Sequence, residues 1–189
     1  MQLLEKIQND QKLIKILKED GIVVIPTDTL YGIVGRAENP DVVLKICEIR
    51  KRNPVKPCII LIADVAELKK FSVSLSSEQE KILRECWPGP VSVILDCPDE
   101  LFSYLHRGTK TLAFRLPKDE GLRDLLKQTG PLVAPSANME GDTPAQNIKQ
   151  AKKYFGHAVD LYVDGGELSG QPSKIIKLHP DGSLSIIRE

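Results

Sequence analysis

The sequence predicts an α/β fold, and three observations carry the prediction. Short apolar runs of strand length recur along the chain, at 22–25, 58–62, 91–95, 111–116 and 131–134. Between them lie segments whose apolar residues fall at helical spacing, i, i+3, i+4. Several of the runs end abruptly in proline or glycine followed by hydroxyl, amide or carboxylate side chains, as where strands deliver polar groups to one edge of an open sheet. The run at 58–62, Cys58-Ile59-Ile60-Leu61-Ile62, is apolar on both faces and reads as a central strand.

The size and balance of the chain fit that fold. One domain over residues 1–189 is expected, large enough for a real core. Lys and Arg number 26 and Asp and Glu 26, giving a formal charge of zero, so nothing in the bulk charge suggests a protein held to nucleic acid by electrostatics alone. Cys47, Cys58, Cys86 and Cys97 lie in or beside apolar segments without the short spacing of a metal knuckle or redox motif, and read as buried thiols. No apolar run approaches the length of a membrane span, and residues 1–12 lack a signal-peptide core. The chain therefore reads as cytoplasmic.

In order, residues 2–19 carry Leu3, Leu4, Ile7, Ile14 and Leu17 at helical spacing and predict one amphipathic helix stopped by Gly21. Ile22 to Ile25 predicts a buried strand ended by Pro26, after which Thr27, Asp28 and Thr29 supply two hydroxyls and a carboxylate before Tyr31-Gly32 turns the chain. That stretch reads either as one wall of a site or as a solvated turn. Residues 41–51 predict a helix behind Pro40, with Val43, Ile46 and Cys47 inward and Arg50 continuing the inward stripe. Lys45, Arg50, Lys51, Arg52 and Lys56 face one acid, Glu48, over this stretch. Cations at a helix carboxyl end account for one or two of them, and the remainder point to an anion site.

Residues 64–70 predict a short helix, and 76–87 another, with Ser76 or Ser77 as N-cap and Glu80 at capping-box spacing from Ser77. Trp87-Pro88-Gly89-Pro90 predicts a rigid corner, and residues 96–110 a long polar connection. Arg115 interrupts the strand at 111–116; it is either a surface residue of an edge strand or an inward arginine that needs an anionic partner. Residues 119–128 predict a helix. Ala134-Pro135-Ser136-Ala137-Asn138 then repeats the earlier pattern, a strand ended by proline with hydroxyl and amide groups directly after, which favours a built site. Thr143-Pro144-Ala145-Gln146 predicts an N-cap, N1 proline and capping-box glutamine for a helix to about Phe155. A strand at 161–164, a Gly-rich stretch to Ser173 and a hairpin of 174–178 with 183–188 around Asp181-Gly182 close the chain.

The chemistry is narrowed by what is missing. The sequence has no phosphate-binding G-x-x-x-x-G-K-[ST] loop, no G-x-G-x-x-G and no G-x-S-x-G around Ser136, and His106, His157 and His179 lack ligands at metal spacing. Cations with neutral hydrogen-bonding groups remain, a set suited to phosphate and carboxylate ligands.

The segments P-T-D-T-L-Y-G, R-K-R-N-P-V-K-P, W-P-G-P, T-L-A-F-R and A-P-S-A-N, in that order, closely resemble the YrdC-like threonylcarbamoyl-AMP synthase family, from about Gly21 to Ser173. The resemblance implies a twisted mixed sheet with flanking helices around a positively charged cavity. It implies an ATP-using synthase that joins L-threonine, bicarbonate and ATP, with Mg2+, into threonylcarbamoyl-AMP and pyrophosphate, and a transferase complex that passes the threonylcarbamoyl group to tRNA. By position it puts Thr27, Thr29, Arg115 and Ser136 at threonine, and Arg50, Arg52, Lys56, Thr111, Asn138 and Ser173 at ATP. Arg52, Lys56 and Ser136 are the residues expected nearest the chemistry, with no side chain acting as a metal ligand. Arg50 stands where the family has lysine, Asn53 where proline is common, Met139-Glu140-Gly141-Asp142-Thr143 where a serine-glycine run is frequent, and Lys174 where threonine is frequent. An RNA-binding protein and a diverged relative without synthase activity are the alternatives; the zero net charge argues against the first, and the intact S-A-N segment, Arg115 and cation run against the second.

Overall fold

The computed structural model describes residues 7–53 and 58–189. Among the described residues nine strands form one mixed sheet: β1 Val23–Pro26, β2 Tyr31–Arg36, β3 Ile59–Leu61, β4 Val91–Asp96, β5 Thr111–Arg115, β6 Leu132–Val133, β7 Leu161–Tyr162, β8 Lys174–Leu178 and β9 Leu184–Arg188, in the order β7-β1-β2-β6-β3-β5-β4-β8-β9. Helices α1 Gln11–Lys18, α2 Pro40–Ile49, α3 Ser77–Cys86, α4 Ser103–His106, α5 Glu120–Thr129 and α6 Ile148–Phe155 flank it.

The sheet is covered on both faces because its strands are apolar on both. Alternate residues point to opposite sides, and the core divides accordingly. Val23, Ile25, Val34, Leu61 and Leu132 pack with Leu13, Ile14 and Leu17 of α1 and Leu122, Leu125 and Leu126 of α5. Ile22, Val24, Ile33, Ile60 and Phe114 pack with Val43 and Ile46 of α2, Leu83 of α3 and Ile148, Ala151 and Phe155 of α6. Each such side chain taken from water contributes about 1.5–3 kcal/mol.

Five expectations are corrected. The single helix over 2–19 is interrupted: Asp10 accepts from the backbone of Lys12 and Leu13 and N-caps α1 at Gln11, and residues 1–6 lie outside the described residues. Tyr31-Gly32 does not turn the chain but begins β2, paired with β1 from Pro26↔Tyr31 to Val23↔Val34, so the turn is residues 27–30. The N-cap of α6 is Asn147, not Thr143, and the capping box of α3 joins Ser76 to Gln79 rather than Ser77 to Glu80. The connection at 96–110 folds into a 3-10 turn, Glu100–Phe102, and α4, burying Phe102 against Phe71 and donating Tyr104 Oη to Ala37 O at 3.0 Å. The closing hairpin is as expected, with Gly182 at φ 85°, where a side chain would be strained.

Two features of this topology place the site. α1 and α5 cover one face over β1, β2, β6 and the Leu61 end of β3, and from Ile59 across β5, β4 and β8 that face is open to a cavity. The chain after β6 pairs with β2, through a bridge of Gly32 with Ser136 and hydrogen bonds from Ile33 N to Pro135 O and from Ala137 N to Tyr31 O. Residues 135–137 are thereby laid beside the turn at 27–30.

Candidate active site

A cavity of about 440 Å³ lies on the uncovered part of the sheet, a volume typical of a small-ligand site. Ile59, Ala113, Ile94 and Ile175 form its floor, on β3, β5, β4 and β8. Thr111, Ala113 and Arg115 all line it because residues two apart on β5 share a face. Arg52, Arg115 and Arg188 bring guanidinium groups to the wall, and among the described lining residues there is no carboxylate. A second groove of about 700 Å³, with Lys153 and Gln150 in its wall, adjoins it at Leu30, Pro144 and Pro172.

The turn at 27–30 is built by Thr27. Its hydroxyl donates to Leu30 O at 2.6 Å and accepts from the backbone N–H groups of Thr29 and Leu30 at 3.2 Å, a Ser/Thr turn that closes the β1–β2 hairpin. Thr29 Oγ1 lies 3.1 Å from Thr27 Oγ1. Gly170 passes so close that a Cβ there would sit 2.0 Å from Thr29 O. Behind the turn, Tyr31 is fully buried; its hydroxyl donates to Gly166 O at 2.8 Å and accepts from Gly165 N at 2.7 Å, and burial raises its pKa.

Arg115 is inward, on a central strand, so the edge-strand reading falls. The anionic partner it needs is Asp28, at 2.6 Å from Nη1, with the two side chains only 5% and 11% exposed. The other Asp28 oxygen accepts from Lys118 N at 3.1 Å. Asp28 is thus the one acid of the turn, and it is spent on holding Arg115 at the cavity wall.

Of the residues expected at the substrates, Thr27, Thr29, Arg52, Thr111, Arg115, Ser136 and Ser173 line this cavity together. Ser173 is buried, its hydroxyl 2.9 Å from Ser92 Oγ and its carbonyl accepting from Arg188 Nη2 at 2.7 Å. Lys56 lies outside the described residues.

Arg50 and Asn138, both expected at the nucleotide, are not among the residues lining this cavity. Their polar atoms meet each other: Arg50 Nε donates to Asn138 O at 3.0 Å and Nη2 to Asn138 Oδ1 at 3.2 Å. Asn138 Nδ2 donates to Met139 O at 2.7 Å and Asp142 O at 2.9 Å. Burial is the main cause that draws the Arg50 guanidinium down to about 10, so it stays charged at neutral pH. Glu140, in the segment that departs from the family pattern, clasps the cation segment: its N–H donates to Arg50 O at 2.9 Å and its carboxylate accepts from Asn53 N.

Sequence reasoning missed three participants. Arg188 comes from the last strand and carried no local signal. The Glu140 clasp joins segments 87 residues apart. Cys47 and Cys58, set aside for lack of a motif, place their sulfurs 4.0 Å apart at the two ends of the cation segment.

The profile of the Sua5/YciO/YrdC family, described as telomere recombination, matches residues 15–189. The chain is 32% identical over 153 residues to the threonylcarbamoyl-AMP synthase of Bacillus subtilis (strain 168), covering 80% of this chain and 44% of that protein. It is 31% identical over 162 residues to the threonylcarbamoyl-AMP synthase of Idiomarina loihiensis, covering 82% of this chain and 86% of that one. Among solved structures, Pyrococcus abyssi Sua5 complexed with L-threonine superposes with a TM-score of 0.82 at 28% identity, over 93% of this chain and 51% of that one. The chain thus spans about half the length of the Bacillus and Pyrococcus relatives. Matched by the family's profile over residues 15–189, the chain belongs to the Sua5/YciO/YrdC family.

Proposed function

We propose that the chain is an L-threonylcarbamoyladenylate synthase, forming threonylcarbamoyl-AMP and pyrophosphate from L-threonine, bicarbonate and ATP. The observation that carries this reading is one cavity in which Arg115, Thr29 and Ser136 stand together with Arg52. The first three suit an amino acid, since a guanidinium matches a carboxylate and hydroxyls match an amine or alcohol. The last suits a phosphate chain. The names of the Bacillus and Idiomarina relatives, and the threonine bound by the Pyrococcus one, support the assignment.

The chemistry needs two steps. The threonine amine takes up bicarbonate with loss of water to give a carbamate; a carbamate oxygen then attacks the α-phosphorus of ATP as its bond to pyrophosphate breaks. In this reading the chain's residues position and neutralise rather than attack. Arg52 faces the triphosphate, where the family resemblance also puts Lys56, and Thr111 and Ser173 flank the nucleotide. Bringing two bound reactants into line is worth up to about 7–11 kcal/mol in favourable cases, and fixed cations at the leaving phosphates add electrostatic stabilisation. Among the described residues no group of three or more His, Cys, Asp or Glu is placed to hold a metal; in this reading Mg2+ would enter with ATP, as it commonly does in phosphoryl-group chemistry. When bound it neutralises charge on the departing pyrophosphate.

Among the described residues no helix is long and apolar enough to cross a membrane. The four cysteines are free thiols, which supports a cytoplasmic setting, and the product is assigned to a transferase complex acting on tRNA. The test is direct. The purified chain, given ATP, magnesium, bicarbonate and labelled threonine, is expected to release pyrophosphate only when threonine is present, with labelled threonylcarbamoyl-AMP as co-product. Absence of both, under conditions in which an active synthase makes them, overturns the reading.

A further inference from the structure

Cys47, near the end of α2, and Cys58, directly before β3, place their sulfurs 4.0 Å apart. Both are buried, at 5% and 3% exposed, and neither has a part in the chemistry of the cavity. The pair differs from the other two thiols. Burial raises the pKa of Cys86, and it raises that of Cys97, whose sulfur donates to Phe71 O at 3.3 Å. Cys47 instead accepts the hydrogen bond of Cys58 and lies in the field of Arg107, Arg52 and Arg50, which draw it down to about 6, so it is a thiolate at neutral pH. Arg50 Nη1 is buried without a hydrogen-bond partner among the described residues, a donor for an anion in this neighbourhood. A thiolate with a second thiol in contact is the arrangement that turns a two-electron oxidation into a disulfide.

We propose that Cys47 and Cys58 form a redox modification site, in which hydrogen peroxide converts the two thiols to a disulfide and thereby weakens the cavity's hold on ATP. The Cys47 sulfur attacks the O–O bond, taking one oxygen as a sulfenic acid while the other leaves as hydroxide. The Cys58 sulfur then attacks the Cys47 sulfur, and the displaced oxygen departs as water with the Cys58 proton. Two thiols and one peroxide give one disulfide and two waters, the sulfurs losing the two electrons that the peroxide gains. A disulfide needs its sulfurs at about 2.05 Å, so the two elements must approach. Cys58 is the fixed side, because β3 lies between β6 and β5 and Ile59 O accepts from Ala134 N at 2.8 Å. The end of α2 is the side that gives. There Cys47 O accepts from Arg52 N at 2.8 Å and Glu48 O from Lys51 N at 2.9 Å, with Lys51 at φ 50°, a Schellman arrangement that ends the helix and sets the course of the chain to Arg52. A shift of Cys47 is therefore passed to Arg52, which lines the cavity. Loss of the Cys47 negative charge works in the opposite sense. That charge is divided among three guanidiniums, whereas a displaced Arg52 forfeits a charge-assisted hydrogen bond outright.

The test treats the intact chain, reduced and then freed of reductant, with hydrogen peroxide in slight excess. A loss of two hydrogens in mass is expected, with a fall from four titratable thiols to two and a peptide in which Cys47 is joined to Cys58, all reversed by dithiothreitol. The double variant Cys86→Ser, Cys97→Ser is expected to react as the wild type does. Cys58→Ser is expected to stop at the sulfenic acid, captured on Cys47 by dimedone; should it not fold, Cys58→Ala carries the same comparison. By calorimetry the oxidised chain is expected to bind ATP about tenfold more weakly than the reduced one, the size of one charge-assisted hydrogen bond. Survival of all four thiols overturns the proposal, as does oxidation that falls first on Cys86 or Cys97. Unchanged or tighter ATP binding in a chain whose Cys47–Cys58 bond has been mapped overturns the coupling to the cavity. That coupling rests on the proposed function, while the mass and the thiol count do not. A reduced chain that binds no ATP therefore overturns the proposed function, and a mapped bond in that chain still upholds the redox site.

Discussion

Arg115 Nη1 stands 2.6 Å from Asp28 Oδ1, joining the middle of the sheet to the hairpin turn across 87 residues of sequence. The pair is largely buried, and the second Asp28 oxygen is taken by the backbone of Lys118. An arginine in this position is tolerable only because the turn brings its counter-ion, and the turn is held against the sheet by the same bond.

Removing one partner of such a pair leaves a buried charge uncompensated, at a cost of about 3–5 kcal/mol. Asp28→Ala is therefore expected to lower unfolding stability by about that amount, measured by urea denaturation, with Asp28→Asn milder because its amide oxygen still accepts from Lys118 N. A loss below about 1 kcal/mol, the size of an exposed pair, would show that water reaches the bond.

Arg52 lines the cavity from the segment that follows α2. Arg52→Ala is expected to weaken ATP by roughly 10- to 100-fold, as for loss of a charge-assisted bond, and threonine by much less. Calorimetry giving equal losses for the two ligands contradicts this role.

Gly170 is needed for close approach rather than for an unusual φ. A Cβ there would lie 2.0 Å from Thr29 O and 3.0 Å from Thr29 C, both backbone. Gly170→Ala is expected to push the 27–30 turn outward, weakening threonine while leaving ATP binding near its original value. Unchanged threonine affinity would mean that the 170 strap moves instead of the turn.

The sulfur pair makes a pH prediction. The hydrogen bond from Cys58, followed by the nearby charges of Arg107, Arg52 and Arg50, lowers the Cys47 thiol to about 6, and the same bond, with burial, raises that of Cys58. An unfolded thiol titrates near about 8.5. Between these values the unfolded chain holds one more proton than the folded one, so stability rises with pH from about 6 to about 8.5. Above that range the retained Cys58 proton reverses the sign. Thiolate absorbance is expected to appear with a midpoint near 6 and to vanish in Cys47→Ser. A first thiolate that forms only in alkali would remove Cys47 from the influence of the arginines.

Much of the molecule follows from local pattern. Apolar period and length alone identify the strands at 22–25, 58–62, 91–95 and 111–116, because a strand buried on both faces has to be apolar throughout. The closing hairpin follows from Asp181-Gly182, since few residues accept the backbone that turn requires. Pattern fails where two local signals compete. Thr143-Pro144 has every mark of a helix start, yet Asn147 caps α6, because the segment at 143–146 is drawn into tertiary contacts: Ala145 N bonds Ala137 O, and Thr143 O accepts from Tyr154.

By itself the sequence determined that two proline-ended strands present hydroxyl and amide groups, that a cation run follows the first of them, and that a buried Arg115 would need an acid. It could not say which acid, nor that Arg50 would donate to Asn138, nor that two cysteines 11 residues apart would meet. Those outcomes depend on strand order. Pairing of 135–137 with β2 and the central place of β5 decide which distant side chains share a face, and periodicity and turn chemistry, which act over a few residues, carry no information about partners 87 or 88 residues away.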